Sequence, residues 1–147
     1  MEARLNMAHI QPAAYKALNV LDQFMLASSI DPLHREMIKI RASKINGCAY
    51  CISHHTASAR KLGETEQRIY LMSAWREAGD IFTEEERLLL DMTEQVTLVH
   101  KAGLKDETYD KVLEKFGKEQ TAQIIMGIIT INAWNRIGVS LNMHPVL

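Results

Sequence analysis

The sequence predicts an all-α protein, a single-domain bundle of about seven helices. Its 147 residues include only 7 Gly and 3 Pro, and good helix formers such as Ala, Leu, Met, Glu, Lys and Arg are plentiful. Apolar residues recur three and four positions apart, as one helix face requires, and no segment alternates with the period of two that a strand requires. A chain of this length, 47% apolar, buries a substantial core. We therefore expect residues 1–147 to form one domain without a sheet.

The first three predicted helices are bounded by turn and capping residues. Asp31 suits an N-cap and Pro32 the first turn that follows it. The Asn46–Gly47 pair is a strong stop signal, and Gly63 suits a left-handed C-cap. These signals and the apolar spacing predict helices over residues 12–27, 31–45 and 48–62.

Four more helices are predicted in the second half of the chain. Thr65 suits the N-cap of one of them, and Thr83 with Glu86 fits a capping box. Asp106 caps a shorter helix, and the final one is apolar on most sides, which predicts a central position or a subunit contact. The predicted ranges are 65–75, 83–101, 106–116 and 119–141.

Charge and hydropathy exclude several classes of function. The net charge of −1 offers no basic surface for a phosphate backbone, so we expect no nucleic-acid partner. The longest apolar stretch, Ile124 to Ala133, is too short to span a bilayer, so we expect no membrane association. The first residues lack the pattern of a signal peptide, which predicts a cytoplasmic protein. No glycine-rich phosphate loop or other cofactor signature is present, so no cofactor is predicted.

The two cysteines, Cys48 and Cys51, are the candidate reactive groups. They are separated by two residues, so a disulfide between them closes almost no loop and adds little stability. In a reducing compartment such a pair is more often catalytic or metal-binding. Their spacing at a helix start puts both sulfurs on one face within disulfide reach. The free amides of the first turn stabilise a thiolate there.

His55 follows Cys51 by four residues, so both side chains lie on the same helix face. A neutral imidazole at this position can take the Cys51 proton, and the imidazolium then stabilises the thiolate. This predicts Cys51 as the attacking thiol and Cys48 as the resolving thiol. The expected cycle passes through a sulfenic acid to a Cys48–Cys51 disulfide, which a second thiol system must reduce.

Two other interpretations of the cysteine pair remain open. Free cysteines are often inert core residues. Zinc binding is the second alternative, with Cys48, Cys51 and either His54 or His55 as ligands. A closed structural zinc site needs four ligands, and no second Cys/His pair has suitable spacing, so we predict no metal site.

The run Met37–His55, with its Cys-x-x-Cys-x-x-x-His core after an Asn–Gly turn, resembles the carboxymuconolactone decarboxylase superfamily. It is most similar to the AhpD-like alkylhydroperoxidase branch. The similarity extends through Gly63–Glu66, Ser73–Glu77 and Thr130–Arg136, and so covers most of the chain, from about Tyr15 to Arg136. The resemblance implies an AhpD-like helical bundle and a thiol-dependent peroxidase.

The resemblance also assigns a role to Glu36, which otherwise looks like a solvated helix residue. In the proton relay of the family, a Glu at this position acts with the His to deprotonate the second Cys, here through His55 on Cys51. One departure is Tyr50, which replaces the His found between the cysteines of the best-known peroxidases and indicates a modified relay. Single-unit members form rings, which implies a homo-oligomer, a trimer or hexamer.

The function expected from the residues and the resemblance together is an AhpD-like alkyl hydroperoxidase or thiol–disulfide oxidoreductase in antioxidant defence. Its partners would be a peroxide substrate and a thiol reductant system. One alternative is a γ-carboxymuconolactone decarboxylase-type enzyme, whose reaction needs acid–base groups but no dithiol. A second alternative is a non-enzymatic redox sensor, which oxidises once where an enzyme turns over repeatedly.

Overall fold

The computed structural model describes residues 2–145, and helices dominate it. The α-helices are α1 Met7–Ile10, α2 Pro12–Leu26, α3 Pro32–Asn46, α4 Ala49–Lys61, α5 Glu66–Leu71, α6 Glu84–Thr97, α7 Val99–Ala102 and α8 Asp106–Ser140. Two 3₁₀ segments, Met72–Glu77 and Gly79–Ile81, lie between α5 and α6. No strand occurs among the described residues. The predicted all-α bundle is therefore confirmed.

Several predicted helix ends are formed by the predicted caps. Asp31 Oδ1 accepts the backbone N–H groups of Leu33 and His34, at 2.8 and 3.3 Å. Gly47 ends α3 in the left-handed region, with φ 68° and ψ 30°, where a residue with a Cβ is strained. Thr83 and Glu86 form the predicted reciprocal capping box at the start of α6.

The helix predicted over residues 65–75 is α-helical only as far as Leu71. A tighter 3₁₀ segment follows, and Ala74 leaves the helical region within it, with φ −122° and ψ 31°. This segment buries Trp75, whose indole Nε1–H donates to Glu94 Oε1 over 2.6 Å. Tertiary contacts of one large side chain therefore override the local helix pattern.

Two further boundaries differ from the prediction. The helix predicted over residues 83–101 is divided at Leu98, whose ψ of 35° separates α6 from the short α7. Helix α1 was not predicted, because four residues are too few to show a helical period and none of them is buried.

The helices predicted over residues 106–116 and 119–141 form two arms of α8. Gly117 separates them with a non-helical backbone, φ 74° and ψ 170°. Only glycine adopts such a conformation readily, so Gly117, in the gap between the two predicted helices, is the point where α8 bends.

Helix α3 lies at the centre of the bundle and packs against α4, α6 and α8. Ile38 belongs to one apolar cluster, with α6 and α8. Met37 and Ile40 belong to a second cluster, with Trp75 and neighbouring side chains. Each fully buried side chain of this size stabilises the fold by about 1.5–3 kcal/mol. Polar residues on α3 are consequently held at fixed positions inside the protein.

The N-terminal segment of the described chain is hydrogen-bonded to the end of α8. Arg4 fastens the N-terminal segment to the end of α8, through its backbone N–H to Leu141 O over 2.9 Å and its guanidinium to Ser140 O over 2.8 Å. Within residues 2–145, no helix combines the length and the apolar character needed to cross a membrane.

Candidate active site

The dithiol lies at the turn between α3 and α4. Cys48 and Cys51 are joined by a disulfide, with their Cα atoms 5.3 Å apart. Cys48 is the N-cap of α4, and its Sγ accepts the backbone N–H of Cys51 over 3.3 Å. The backbone N–H of Cys48 in turn donates to Ser43 O over 3.0 Å, so the Gly47 turn fixes the pair against α3. Both cysteines are buried.

A polar network attaches this turn to the second arm of α8. Asn46 Nδ2 donates to Asn132 Oδ1 over 3.0 Å and to Asn135 Oδ1 over 2.9 Å. Asn135 is fully buried and donates to Ser43 Oγ over 2.9 Å. Because buried polar groups are costly when unpaired, these bonds fix the position of α8 relative to the dithiol turn.

His55 and Glu36 form a pair near the dithiol, in which Glu36 is buried and His55 is half-buried. His55 Nδ1 lies 2.9 Å from Glu36 Oε2. Glu36 is 7% exposed, which corrects its reading from the residue pattern alone as a solvated helix residue. With Nδ1–H donating to the carboxylate, Nε2 is the remaining acceptor of the ring. The structure thus brings the Glu36–His55 pair and the dithiol to one region of the protein, where His55 and Cys51 line the same cavity.

The protonation states of His55 and Glu36 follow from burial and from their neighbours. Burial lowers the pKa of His55 and Glu36 offsets this only in part, so the pKa stays below its ordinary value. Burial alone would raise the pKa of Glu36, but the hydrogen bond with His55 and the positive charge of Lys39 bring it below its ordinary value. Near pH 7, His55 is therefore neutral and Glu36 ionised. A neutral imidazole held by a carboxylate is suited to accept a proton.

Two charged residues near this pair were missed by the sequence reasoning. Lys39 Nζ lies 3.8 Å from Glu36 Oε1 and 3.5 Å from Asp22 Oδ1. Lys39 is only 6% exposed and lies on α3 between the buried residues Ile38 and Ile40. A charged residue one turn after Glu36, in a run that is otherwise apolar, was the available signal. Its partner Asp22 lies on α2 and could not be identified without the tertiary structure.

A cavity of about 160 Å³ opens beside Cys51 and His55, between α2, α4 and α8. Both of these residues line it, and among the described residues Cys48 does not. Its aromatic wall includes Tyr15 and Trp134, which meet edge to face with ring centroids 5.1 Å apart. A small molecule in this space therefore contacts Cys51 and not Cys48.

Gly138 lines this cavity from the α8 side, and it was not among the site residues predicted from the sequence. A Cβ built at Gly138 would lie 2.8 Å from Cys48 Sγ and 3.5 Å from Cys51 Sγ. Real Cβ atoms essentially never approach as closely as the first of these distances. A glycine inside an apolar helix costs about 1 kcal/mol relative to alanine, and that cost was the available sequence signal for close packing.

Tyr50 and His54 lie at the edge of the cavity. Their rings are nearly parallel, with centroids 6.4 Å apart and an interplanar angle of 7°. His54 is exposed, as expected from its position about 100° away from His55 on the helix. The residues from 2 to 145 contain no group of three His, Cys, Asp or Glu side chains placed to hold a metal ion.

Known proteins resemble this chain over its whole length. Residues 12–94 match the model of the carboxymuconolactone decarboxylase family. The protein YdfG of Bacillus subtilis (strain 168) is 41% identical over 141 residues, which cover 96% of this chain and 95% of YdfG. The crystal structure of ATU0492 from Agrobacterium tumefaciens, for which a role as the antioxidant defence protein AhpD has been suggested, superposes with a TM-score of 0.94 at 38% identity. That superposition covers 99% of this chain and 100% of ATU0492.

More distant structures share the fold. The debrominase Bmp8, solved with 2,3,4-tribromopyrrole, superposes with a TM-score of 0.77 at 21% identity over 91% of this chain and 71% of Bmp8. The Cys-x-x-Cys pair at the N-terminus of α4, the central helix α3 and the match over residues 12–94 agree with one another. The chain therefore belongs to the carboxymuconolactone decarboxylase family, in its AhpD-like branch.

Proposed function

We propose that this protein is an AhpD-like alkyl hydroperoxidase, a thiol–disulfide oxidoreductase that reduces peroxides at Cys51. The observation that carries the proposal is that Cys51 lines the cavity together with His55. Cys48 does not line the cavity and is bonded to Cys51 through the disulfide. The Glu36–His55 pair supplies the base that such chemistry needs. The likeness to ATU0492, at 38% identity, supports the same reading.

The first half of the cycle oxidises Cys51. In the reduced protein, the neutral imidazole of His55 takes the Cys51 thiol proton while Glu36 accepts the Nδ1–H and stabilises the imidazolium. The thiolate attacks the terminal oxygen of an alkyl hydroperoxide, so an S–O bond forms and the O–O bond breaks. The departing alkoxide receives the proton from His55 and leaves as an alcohol. Cys51 is left as a sulfenic acid.

The second half of the cycle forms the disulfide. The Cys48 sulfur attacks the Cys51 sulfenic sulfur, the S–O bond breaks, and water leaves with the Cys48 proton. A thiol reductant then returns two electrons and two protons and restores both thiols. Tyr50 replaces the His that the best-known peroxidases carry between their cysteines, so we expect a slower relay than theirs.

The experiment is consumption of cumene hydroperoxide by the purified protein with dithiothreitol. Wild type should consume peroxide over many turnovers, and Cys51→Ser should fall to the uncatalysed rate. Cys48→Ser should consume peroxide more slowly than wild type, because it keeps the attacking thiol and dithiothreitol must reduce the Cys51 sulfenic acid in place of Cys48. Equal background rates in wild type and Cys51→Ser would refute the proposal.

The same experiment separates the two alternative functions. A redox sensor would be oxidised once and would then consume peroxide only slowly, so its steady-state rate would be far below that of a peroxidase. A lactone decarboxylase needs no dithiol, and its activity on a carboxymuconolactone would survive Cys51→Ser. The position of Cys51 at the cavity favours thiol chemistry over the lactone reaction, and a cavity that admits a substrate favours an enzyme over a sensor.

The proposal includes assembly of the chain into a homo-oligomeric ring, a trimer or hexamer. Apolar side chains are exposed on α2 and α8 of the single chain, among them Phe24 at 51%, Ile129 at 46% and Val139 at 47%. Clusters of such side chains mark surfaces that partner subunits cover. Light scattering should report three or six times the 16.7 kDa chain mass, and a monomer would contradict this part of the proposal.

A further inference from the structure

Lys39 is a buried lysine whose charge lies close to the candidate base. Its Nζ is 3.8 Å from Glu36 Oε1 and 3.5 Å from Asp22 Oδ1. Lysine is almost never fully buried unless it is paired, because desolvating an ammonium is costly. Its neighbours Ile38 and Ile40 fill comparable space with apolar atoms. Packing alone therefore does not account for a lysine at this position.

The geometry makes Lys39 part of a continuous line of charges. Glu36 presents Oε2 to His55 and Oε1 to Lys39, so its two oxygens have separate partners. Asp22 pairs with Lys39 from α2 and also lines the cavity beside Cys51. The line thus runs from the cavity wall on α2, through α3, to His55 on α4.

We propose that Lys39 is a positioning residue that holds Glu36 in the orientation required by His55, and that the Asp22–Lys39 pair sets the pH at which Cys51 ionises. The inference rests on the proposed function, in which His55 is the base for Cys51. A positive charge in this region favours the thiolate and disfavours the imidazolium. Asp22 acts in the opposite direction.

Among residues 2–145, few other charges act on His55. Burial is the largest influence on the pKa of His55, and Lys39 lowers it further. The facing groups are Glu36 and Lys39 from α3, His54 from α4 and Asp22 from α2, while α8 contributes the uncharged Trp134 and Gly138. Changing the charge at Lys39 or at Asp22 should therefore move the ionisation of Cys51 in a direction that can be stated beforehand.

The test is the pH dependence of Cys51 alkylation by iodoacetamide, measured on the reduced protein in a Cys48→Ser background. Serine is a good N-cap, so this background should preserve the start of α4. Lys39→Met should raise the midpoint of the alkylation profile by about one pH unit, and Asp22→Asn should lower it. Lys39→Arg keeps the charge and should restore the midpoint.

The matched control is Lys111→Met. Lys111 is an exposed lysine on α8 that pairs with Glu107, outside the cavity, so its removal changes net charge equally and should leave the midpoint in place. An unchanged midpoint in folded Lys39→Met would overturn the proposal. If Lys39→Met does not fold, an unchanged or raised midpoint in Asp22→Asn overturns it.

The assay contains no peroxide, so it separates this inference from the proposed function. One outcome is that Lys39→Met raises the midpoint but wild type does not turn over cumene hydroperoxide. This outcome supports the role of Lys39 in Cys51 ionisation and rejects the peroxidase function. Peroxide turnover with identical midpoints in Lys39→Met and its parent rejects the role of Lys39 alone.

Discussion

Gly138 determines how closely α8 approaches the dithiol, because it has no side chain. Its counterpart in the same arm of α8 is Gly127, where an added Cβ would meet the terminal methyl of Met25 at 3.0 Å. A flexible methionine can move aside at small cost. The Cys48 sulfur at Gly138 cannot, since it is held by the disulfide and by the cap of α4. Two glycines in one helix therefore differ in how they tolerate alanine.

Gly138→Ala should destabilise the oxidised protein by about 1 kcal/mol. Overpacking costs roughly 1–3 kcal/mol, which outweighs the helix-propensity gain of about 1 kcal/mol. The measurement is urea unfolding of the oxidised protein, with Gly127→Ala as the matched control. Gly127→Ala should be neutral or stabilising. Equal gains in stability for both variants would show that the dithiol tolerates a Cβ at Gly138.

At the scale of elements, Glu94 on α6 holds the 3₁₀ segment Met72–Glu77 against the rest of the bundle. Its Oε1 accepts from the Trp75 indole over 2.6 Å and from Arg41 Nε of α3 over 2.9 Å, and its Oε2 pairs with Arg76. Burial alone would raise the pKa of Glu94, but hydrogen bonds from Arg76, Trp75 and Arg41 bring it below its ordinary value. One ionised carboxylate thus connects three elements.

Glu94→Gln should lower the free energy of unfolding by about 2–4 kcal/mol, because it removes the counter-charge of the largely buried Arg41, while Arg76 keeps its ion pair with Asp91. The measurement is urea denaturation followed by circular dichroism. Glu107→Gln is the control, since Glu107 pairs with Lys111 on the exposed surface, where water screens the attraction and its loss should change stability little. Similar losses in the two variants would mean that the Glu94 cluster does not hold the segment.

At the scale of the whole molecule, the pKa shifts of the site predict loss of stability on acidification. The pKa of His55 is lower in the folded protein than its ordinary value of 6.5, so the unfolded chain binds more protons in this range. The contribution of His55 is complete above pH 6.5 and declines as the pH falls toward its lower folded value. The pKa of Glu36 is also lowered, so its contribution is lost further down, below its ordinary value of 4.5.

Unfolding free energies measured by urea denaturation should therefore fall steadily below pH 6.5. His55→Gln should flatten the decline just below pH 6.5, because it removes the titrating group. His100→Gln changes an exposed histidine of α7 and should leave the profile as in wild type. A wild-type profile that is flat in this range would contradict the lowered pKa of His55.

Much of this structure could be predicted from the sequence, because local signals determine it. Asp31 and Gly47 mark the ends of α3, and helical spacing alone puts His55 in register with Cys51. The placement of Glu36 beside His55 came only from the family resemblance, since no local pattern distinguishes a buried relay carboxylate. That residues 1–147 form one domain remains a prediction, and so do the catalytic roles.

The rest could not be predicted, because it depends on contacts between distant segments. The burial of Lys39 depends on its ion pair with Asp22 on another helix. The need for glycine at position 138 depends on the sulfur of Cys48, which lies far away in the sequence. The 3₁₀ segment around Trp75 likewise exists because Glu94 receives the indole. Propensity and periodicity describe each segment alone and do not contain these pairings.

The bend at Gly117 sets the direction of the long second arm of α8. Asn132, Asn135 and Gly138, which contact the dithiol turn or its sulfurs, all lie beyond the bend. At 1.5 Å per residue, Gly138 is about 30 Å from Gly117. A change of only about three degrees at the bend would displace the cavity wall by roughly 1.5 Å, a misplacement large enough to impair catalysis. The accuracy of the active site is therefore determined partly by one backbone angle on the far side of the protein.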